Sequence, residues 1–418
     1  MKRKLLYIAE PPTVNSGFGV VSQQIVPALA QEFDIHALCT GGYGPKCLEG
    51  LKDYGVSMAT WTDSNNLHGI PQLNNEILKK YEPDVIFTYY DIGSVMEYLK
   101  SSWISYYPHA SYLIAEGEPM MQSWCRMFED KPWRDKKTKQ KLEIEEIILP
   151  SNYSNQVAID QTGRSCRVAH HGYDHANWQQ FPNDVRKQLR TQLATTLQQE
   201  WADNTYVIMY NARNAGRKQW PRLFRIVALA QQMAPEIEFK ILAHTKVFDD
   251  FKLEGWGLTE EVTQAKLNQE NVIFSQPDKD NPLAFVTLPN EKKGSLCKLY
   301  NCSDMYLHPS AVEGAGIPIM EAARCGLPVL TTQYAAGWEY AKDYALPLPV
   351  SDYYHHSSGV EHALVDIQLS AEKVVEVARN RSLQHQLSAK SLKNCNFTWD
   401  NLKKQVVEAS IAAIKKCE

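Results

Sequence analysis

The chain has 418 residues, more than one hydrophobic core usually holds, so two domains of roughly 200 residues each are expected. A formal net charge of −4 argues against global attraction to nucleic acid or membrane, and either partner would need a local patch. Nothing approaches the roughly 20 apolar residues of a membrane span. Nine cysteines, an odd number without a CxxC pair, read as the reduced thiols of a cytoplasmic protein, with peripheral membrane contact left open.

Lys2, Arg3 and Lys4 precede a short apolar run that Glu10, Pro11 and Pro12 end far short of a signal peptide. Residues 5–9 read as a buried strand, and the segment after them carries Gly17, Phe18 and Gly19 ahead of an amphipathic helix. Strand, glycine loop and helix are how a doubly wound sheet starts. The third glycine of a dinucleotide fingerprint is missing, and no acid ends a second strand where a ribose would need it. The chain then alternates strand 34–40, a helix near 73–81, strand 83–91, a helix near 93–102 and strand 110–115. Such alternation without repeats predicts a parallel α/β sheet, whose ligands collect beyond the carboxyl ends of its strands. That rule points to Asp91, Glu116 and Glu118 as binding candidates in the first domain.

Residues 124–141 gather seven basic side chains around Trp124, Phe128 and Trp133. Interleaved rings and cations suit a phosphate-bearing partner, either anionic lipid or a nucleic acid backbone; the alternative is a solvated loop over packed aromatics. A strand at 143–150, a helix capped by Ser151 and a short strand at 166–169 close the first domain. The boundary falls at 172–174, and 183–204 reads as the helix opening the second domain. His170, His171, His175, His355 and His356 lack a cysteine or carboxylate companion at ligand spacing, so no metal site is expected.

The second domain begins with strand 206–211 and a cationic loop holding Arg213, Arg217 and Lys218, followed by strands at 238–244 and 271–275. The stretch 305–332, MYLHPSAVEGAGIPIMEAARCGLPVLTT, then reads as strand, glycine loop, short helix and strand. Proline fits the first helical turn at Pro318, and Gly326 suits the left-handed cap at its end. Gly314, Ala315, Gly316 and Ile317 bring backbone N–H groups to the positive end of that helix, a natural place for a phosphate or diphosphate. Glu313 and Glu321 bracket the loop with seven residues between them. A carboxylate beside a phosphate suits sugar hydroxyls rather than the anion itself.

HPS, EGAGIPIMEA and CGLPVL together resemble the donor-site signature of the retaining glycosyltransferase family 4. That resemblance implies an α/β protein of the GT-B fold, two Rossmann-like doubly wound domains facing a cleft. It implies a domain at 1–172 on the acceptor side, a donor domain at 173–395 and a helix within 396–418 crossing back to the first domain. In the family the first glutamate lies against the transferred sugar and the second holds the ribose, roles that fall on Glu313 and Glu321. Arg213 and Lys218 match the basic pair that grips the donor diphosphate, with Arg217 as a third cation. Gly17, Phe18 and Gly19 correspond to the first-domain loop near donor and acceptor, and Leu288, Pro289 and Asn290 to the loop under the nucleobase. The chain departs from the family at the end of strand 110–115, where many members carry a histidine and this one has Glu116; His109 precedes the strand.

The activity implied is metal-independent transfer of a hexose, glucose-like, from a nucleoside diphosphate sugar, UDP-sugar first, to a hydroxyl acceptor with retention. No cofactor beyond the sugar nucleotide is called for. The acceptor is open: a lipid-linked glycan, a polysaccharide, a small metabolite, or hydroxymethylated DNA bases as in some viral relatives. A sugar-nucleotide-binding protein without catalysis, and an epimerase or phosphorylase of the same fold, stand as alternatives.

Overall fold

Seven strands build the first sheet: β1 (Arg3–Ala9), β2 (Phe33–Cys39), β3 (Val56–Trp61), β4 (Val85–Asp91), β5 (His109–Ile114), β6 (Glu146–Leu149) and β7 (Arg167–Val168). All pair in parallel, in the order β3-β2-β1-β4-β5-β6-β7. Helices cover both faces of such a sheet, so its central strands are continuous apolar runs rather than alternating ones: Leu5 to Ala9 are all buried. The computed structural model describes residues 2–14, 16–101, 104–128, 144–247, 255–275 and 295–418.

A further sheet follows: β8 (Thr205–Asn211), β9 (Glu238–His244), β10 (Val272–Phe274), β11 (Met305–His308), β12 (Val329–Thr332) and β13 (Leu346–Leu348), again all parallel, in the order β10-β9-β8-β11-β12-β13. The chain divides into two compact units. One comprises Met1–Gly172, Ser357–Val360 and Thr398–Glu418, the other Tyr173–His356 and Glu361–Phe397. The closing helix Asp400–Cys417 therefore belongs to the first unit, where Lys416 pairs with Glu146 at 2.8 Å.

Several element bounds differ from expectation for local reasons. The helix after β4 starts at Ile92 because Asp91 caps it, accepting from the Ser94 amide at 2.9 Å and its hydroxyl at 2.7 Å, and it ends at Leu99. Residues 70–81 are helical three residues earlier than the apolar pattern suggests, with a π-turn at Leu73–Ile77. The helix from Asn183 stops at Thr196, eight residues short of the expected end, and Gln198 follows with φ 55°, outside helical space. A two-stranded antiparallel hairpin, β14 (Val350–His355) and β15 (Glu361–Val365), is unforeseen; Gly359 turns it with φ 76°.

Each sheet has a switch point where the strand order reverses, between β1 and β4 in the first and between β8 and β11 in the other. Crossovers leave the sheet in opposite directions there, which opens a crevice beyond the carboxyl ends. The 305–332 stretch enters the crevice of the β8–β13 sheet directly from β11.

Candidate functional site

The loop leaving β8 is held before any functional side chain is placed. The Tyr210 hydroxyl donates to the Lys218 carbonyl at 2.8 Å, and the Trp220 indole donates to the Arg213 carbonyl at 3.2 Å. Buried Asn214 donates to the Val247 and Trp256 carbonyls at 3.1 and 2.8 Å. The Arg217 carbonyl accepts from the Ala311 amide at 2.7 Å and the Ser310 hydroxyl at 3.2 Å, which stitches this loop to the one leaving β11. The adjacent loops of the switch point thus behave as one piece.

Glu313 lies where they meet. Its Oε1 takes an ion pair from Lys218 Nζ and a hydrogen bond from His308 Nε2 at 3.0 Å, and its Oε2 lies 3.4 Å from Arg217. Gly337 backs it: a Cβ there would come within 3.0 Å of Glu313 Cβ. Burial by itself would push the carboxyl up, but Lys218, Arg217 and the His308 bond outweigh it and hold Glu313 well below the usual carboxylate range. Burial lowers the His308 pKa, the Glu313 bond opposes that without reversing it, and the two cations reinforce it. His308 is therefore neutral, and its ring proton sits on Nε2, because the ionised carboxylate can only accept.

The short helix Ile317–Arg324 begins at Gly316, whose φ of 83° is left-handed backbone that a side chain would strain. Pro318 has no N–H and the Ile319 amide donates to the Gly316 carbonyl at 2.9 Å, which leaves the Gly316 and Ile317 amides as the donors of this helix start. Glu321 lies one turn in, where its Oε2 accepts the Tyr300 hydroxyl at 3.1 Å. Here the balance runs the other way: burial pushes Glu321 up to about 8, the Tyr300 bond opposes it, and Cys297 adds to it. Two glutamates with seven residues between them are thus held in opposite states, one ionised by cations and one kept neutral by burial.

Expected and observed placements differ at several residues. Arg217, the third cation by sequence, reaches Glu313, whereas Arg213 is exposed. Gly314, Ala315, Gly316 and Ile317 form the loop and helix start as expected. Leu288, Pro289 and Asn290 lie outside the described residues. In the first unit, Gly17 opens the helix Gly17–Glu32, capped by Ser16 accepting from the Gly19 amide at 2.9 Å. A Cβ on Gly19 would sit 2.2 Å from the Val14 carbonyl oxygen, so no side chain fits there. Phe18 packs its ring on Tyr89 and Tyr90 at 5.1 and 5.0 Å, a contact with β4 itself. Both Asp91 oxygens are engaged at Ser94; Glu116 is half-buried and Glu118 exposed. His109 opens β5 with Nε2 2.9 Å from the Thr88 hydroxyl, at the strand's amino end.

Of the rings in 124–141, Phe128 is fully buried and Trp124 is partly buried, packed against the same core, as the alternative reading expects; Trp133 and the rest of 129–141 lie outside the described residues. Sequence reasoning assigned no role to His308, Tyr300, Asn211 or Gly337. His308 stands in the HPS of the signature and, like Asn211, ends one of the two strands that flank the switch point; those were the signals available. No cluster of metal-binding side chains occurs among the described residues. The sequence does contain an Asp-x-Asp pair, Asp278 and Asp280, outside them. Among the described residues, no helix is long and apolar enough to cross a membrane.

Residues 198–393 match the family model "Glycosyl transferases group 1". Among solved structures the chain is similar to Anabaena HepE in complex with UDP and glucose, at 17% identity over 97% of this chain and 98% of that one, with a TM-score of 0.66. It is similar to a glycosyltransferase from Rickettsia africae at 15% identity over 99% of each chain, TM-score 0.64. Sucrose-phosphate synthase from Thermosynechococcus elongatus matches at 13% identity over 97% of this chain and 98% of that one, TM-score 0.63. No curated protein sequence matches. These likenesses show the fold, two Rossmann-like parallel sheets in the GT-B arrangement of elements.

Proposed function

We propose that the protein, whose residues 198–393 match the glycosyl transferases group 1 family model, transfers a hexosyl group from a nucleoside diphosphate sugar to a hydroxyl acceptor. UDP-glucose is the first donor to try, since a structural relative, HepE, is described in complex with UDP and glucose. The observation that carries the reading is the cluster at the β8/β11 switch point: Lys218 and Arg217 on Glu313, in the loop that leads into the helix start at Gly316 and Ile317.

The chemistry follows from charge. As the bond from the sugar C1 to the diphosphate oxygen breaks, the leaving diphosphate gains negative charge, and fixed cations with aligned amides stabilise it without reorganising. Lys218, Arg217 and the Gly316 and Ile317 amides fill that role, with exposed Arg213 able to reach an entering phosphate. Glu313 offsets part of the cationic charge, so the site holds a dianion without being filled by bulk anions. Ionised and acceptor-only, it accepts hydrogen bonds from hydroxyls of the sugar. Retention proceeds on the front face: the departing diphosphate oxygen takes the acceptor proton while the acceptor oxygen bonds to C1, and no enzymic base is required. These groups act without a metal.

The test is release of nucleoside diphosphate from UDP-, GDP- and ADP-hexoses in the presence of a chelator, followed by an acceptor screen with the donor that turns over. One donor should be hydrolysed slowly by the wild type. Lys218→Ala should lower kcat by about 10²- to 10³-fold, as loss of one charge-stabilising donor does elsewhere. An unchanged kcat in Lys218→Ala would overturn the assignment of the leaving-group site.

A further inference from the structure

Cys297 and Cys325 lie side by side in the interior of the β8–β13 unit, with their sulfurs 3.7 Å apart. Cys297 belongs to the helix Ser295–Asn301 that leads into β11, and Cys325 caps the end of the helix Ile317–Arg324. The same seam holds a contact already described. Tyr300 follows Cys297 by three residues and Glu321 precedes Cys325 by four, spacings that share a helix face, and the Tyr300 hydroxyl meets Glu321 at 3.1 Å.

The two thiols are not equivalent. Besides Cys325, the Cys297 sulfur lies 3.7 Å from the Gln179 carbonyl oxygen and 3.6 Å from the Asn301 amide nitrogen. When Cys297 ionises, the Cys325 thiol donates to its sulfur. That bond outweighs burial and holds Cys297 below the usual thiol range, and the same bond pushes Cys325 far above it. Cys297 is also the one with some exposure, 3% against 0%. The thiolate is the nucleophile, so Cys297 attacks and Cys325 resolves.

We propose that Cys297 and Cys325 form a redox-active dithiol, closed by a hydroperoxide into a reversible disulfide that ties the helix Ser295–Asn301 to the end of the helix Ile317–Arg324. The Cys297 thiolate attacks one peroxide oxygen, the O–O bond breaks, and hydroxide or alkoxide leaves as Cys297 becomes a sulfenic acid. The Cys325 thiol then attacks that sulfur, the S–O bond breaks, and water leaves with the Cys325 proton. The two sulfurs give up two electrons between them, and the peroxide takes up both. A disulfide bond is far shorter than the present 3.7 Å, so closure draws the two helices together along the seam that Tyr300 and Glu321 span. On the reading above that the helix start holds a nucleoside diphosphate, turnover falls, because misplacement of about 1 Å can cost on the order of 10²-fold.

Peptide mapping of the whole chain tests the dithiol. Reduced wild type is treated with hydrogen peroxide, remaining thiols are alkylated, and the protein is digested with trypsin without reductant. Cleavage after Lys293, Lys298, Arg324 and Lys342 puts Cys297, Cys302 and Cys325 on three separate peptides. The expected product joins 294–298 to 325–342 and is split by dithiothreitol. Cys297 and Cys325 both recovered alkylated, or joined to other cysteines, overturns the proposal. In the same samples nucleoside diphosphate release should fall about tenfold or more on oxidation and return with dithiothreitol. That reversible fall should be absent in Cys297→Ala, with Cys325→Ala in its place should the first variant not fold. A fall equal to that of wild type in the folded variant, or a mapped disulfide without any fall, overturns the effect on turnover. A wild type that releases no nucleoside diphosphate even when reduced overturns the donor reading, and the peptide map still decides the dithiol.

Discussion

Replacing Glu313 by glutamine preserves its volume and deletes the charge that offsets Lys218 and Arg217. The Lys218 and Glu313 side chains are only 13% and 10% exposed, so the lysine becomes an uncompensated cation largely out of water. Breaking a buried pair from one side costs about 3–5 kcal/mol. Arg217, at 3.4 Å and 31% exposed, is closer to a screened surface pair and adds little. A glutamine oxygen can still accept from Lys218, which places the expected loss near the lower end, about 3 kcal/mol. In a domain of about 200 residues that is a fall in Tm of about 6–12 °C. The assay is chemical and thermal unfolding of wild type, Glu313→Gln, Lys218→Met and the double variant at neutral pH. Removing both charges leaves neither unpaired, so the double variant should recover most of the loss, with a coupling energy of about 2 kcal/mol or more. Single losses that simply add, within about 0.5 kcal/mol, would refute the clamp.

Glu321 makes a prediction with the opposite sign from an ordinary salt-bridged acid. Its folded pKa is raised to about 8, so between the unfolded value, about 4.3, and 8 the folded state binds the extra proton and stability falls as pH rises. Glu321→Gln should abolish that fall, so its stability relative to wild type should grow by up to about 1.4 kcal/mol per pH unit and level off above pH 8; a difference that stays flat from pH 5.5 to 8.5 contradicts the assignment. Gly337→Ala would bring a methyl within 3.0 Å of Glu313 Cβ and 3.4 Å of its Cγ, so Glu313 must shift by a few tenths of an ångström. Displacement on that scale should cost kcat several-fold to on the order of 10²-fold with Tm nearly unchanged, checked by kinetics and melting on the same preparation.

Local chemistry was enough to read most of the architecture. The apolar runs of β1, β4, β8 and β11, the glycine loop before Ile317 and the cap at Gly326 are each written in a few consecutive residues, because a strand buried on both faces and a helix start depend on near neighbours. The π-turn at Leu73–Ile77 and the hairpin Val350–Val365 escaped for the converse reason. The π-turn follows the ordinary helical pattern, and the hairpin has the composition of irregular chain until its two halves pair.

At the site, sequence determined which residue types were available, and tertiary structure decided which of them meet. Arg213 and Lys218 match the basic pair of the resembled family, yet it is Arg217 that joins Lys218 on Glu313, in a loop anchored by Tyr210, Trp220 and the Ala311 amide. Lys218 and Glu313 are 95 residues apart, and Asn211 and Tyr300 89. Nothing local relates such pairs. They are brought together by β8 lying beside β11 at the switch point of a parallel sheet, and strand order is a property of the whole unit rather than of any stretch of its sequence.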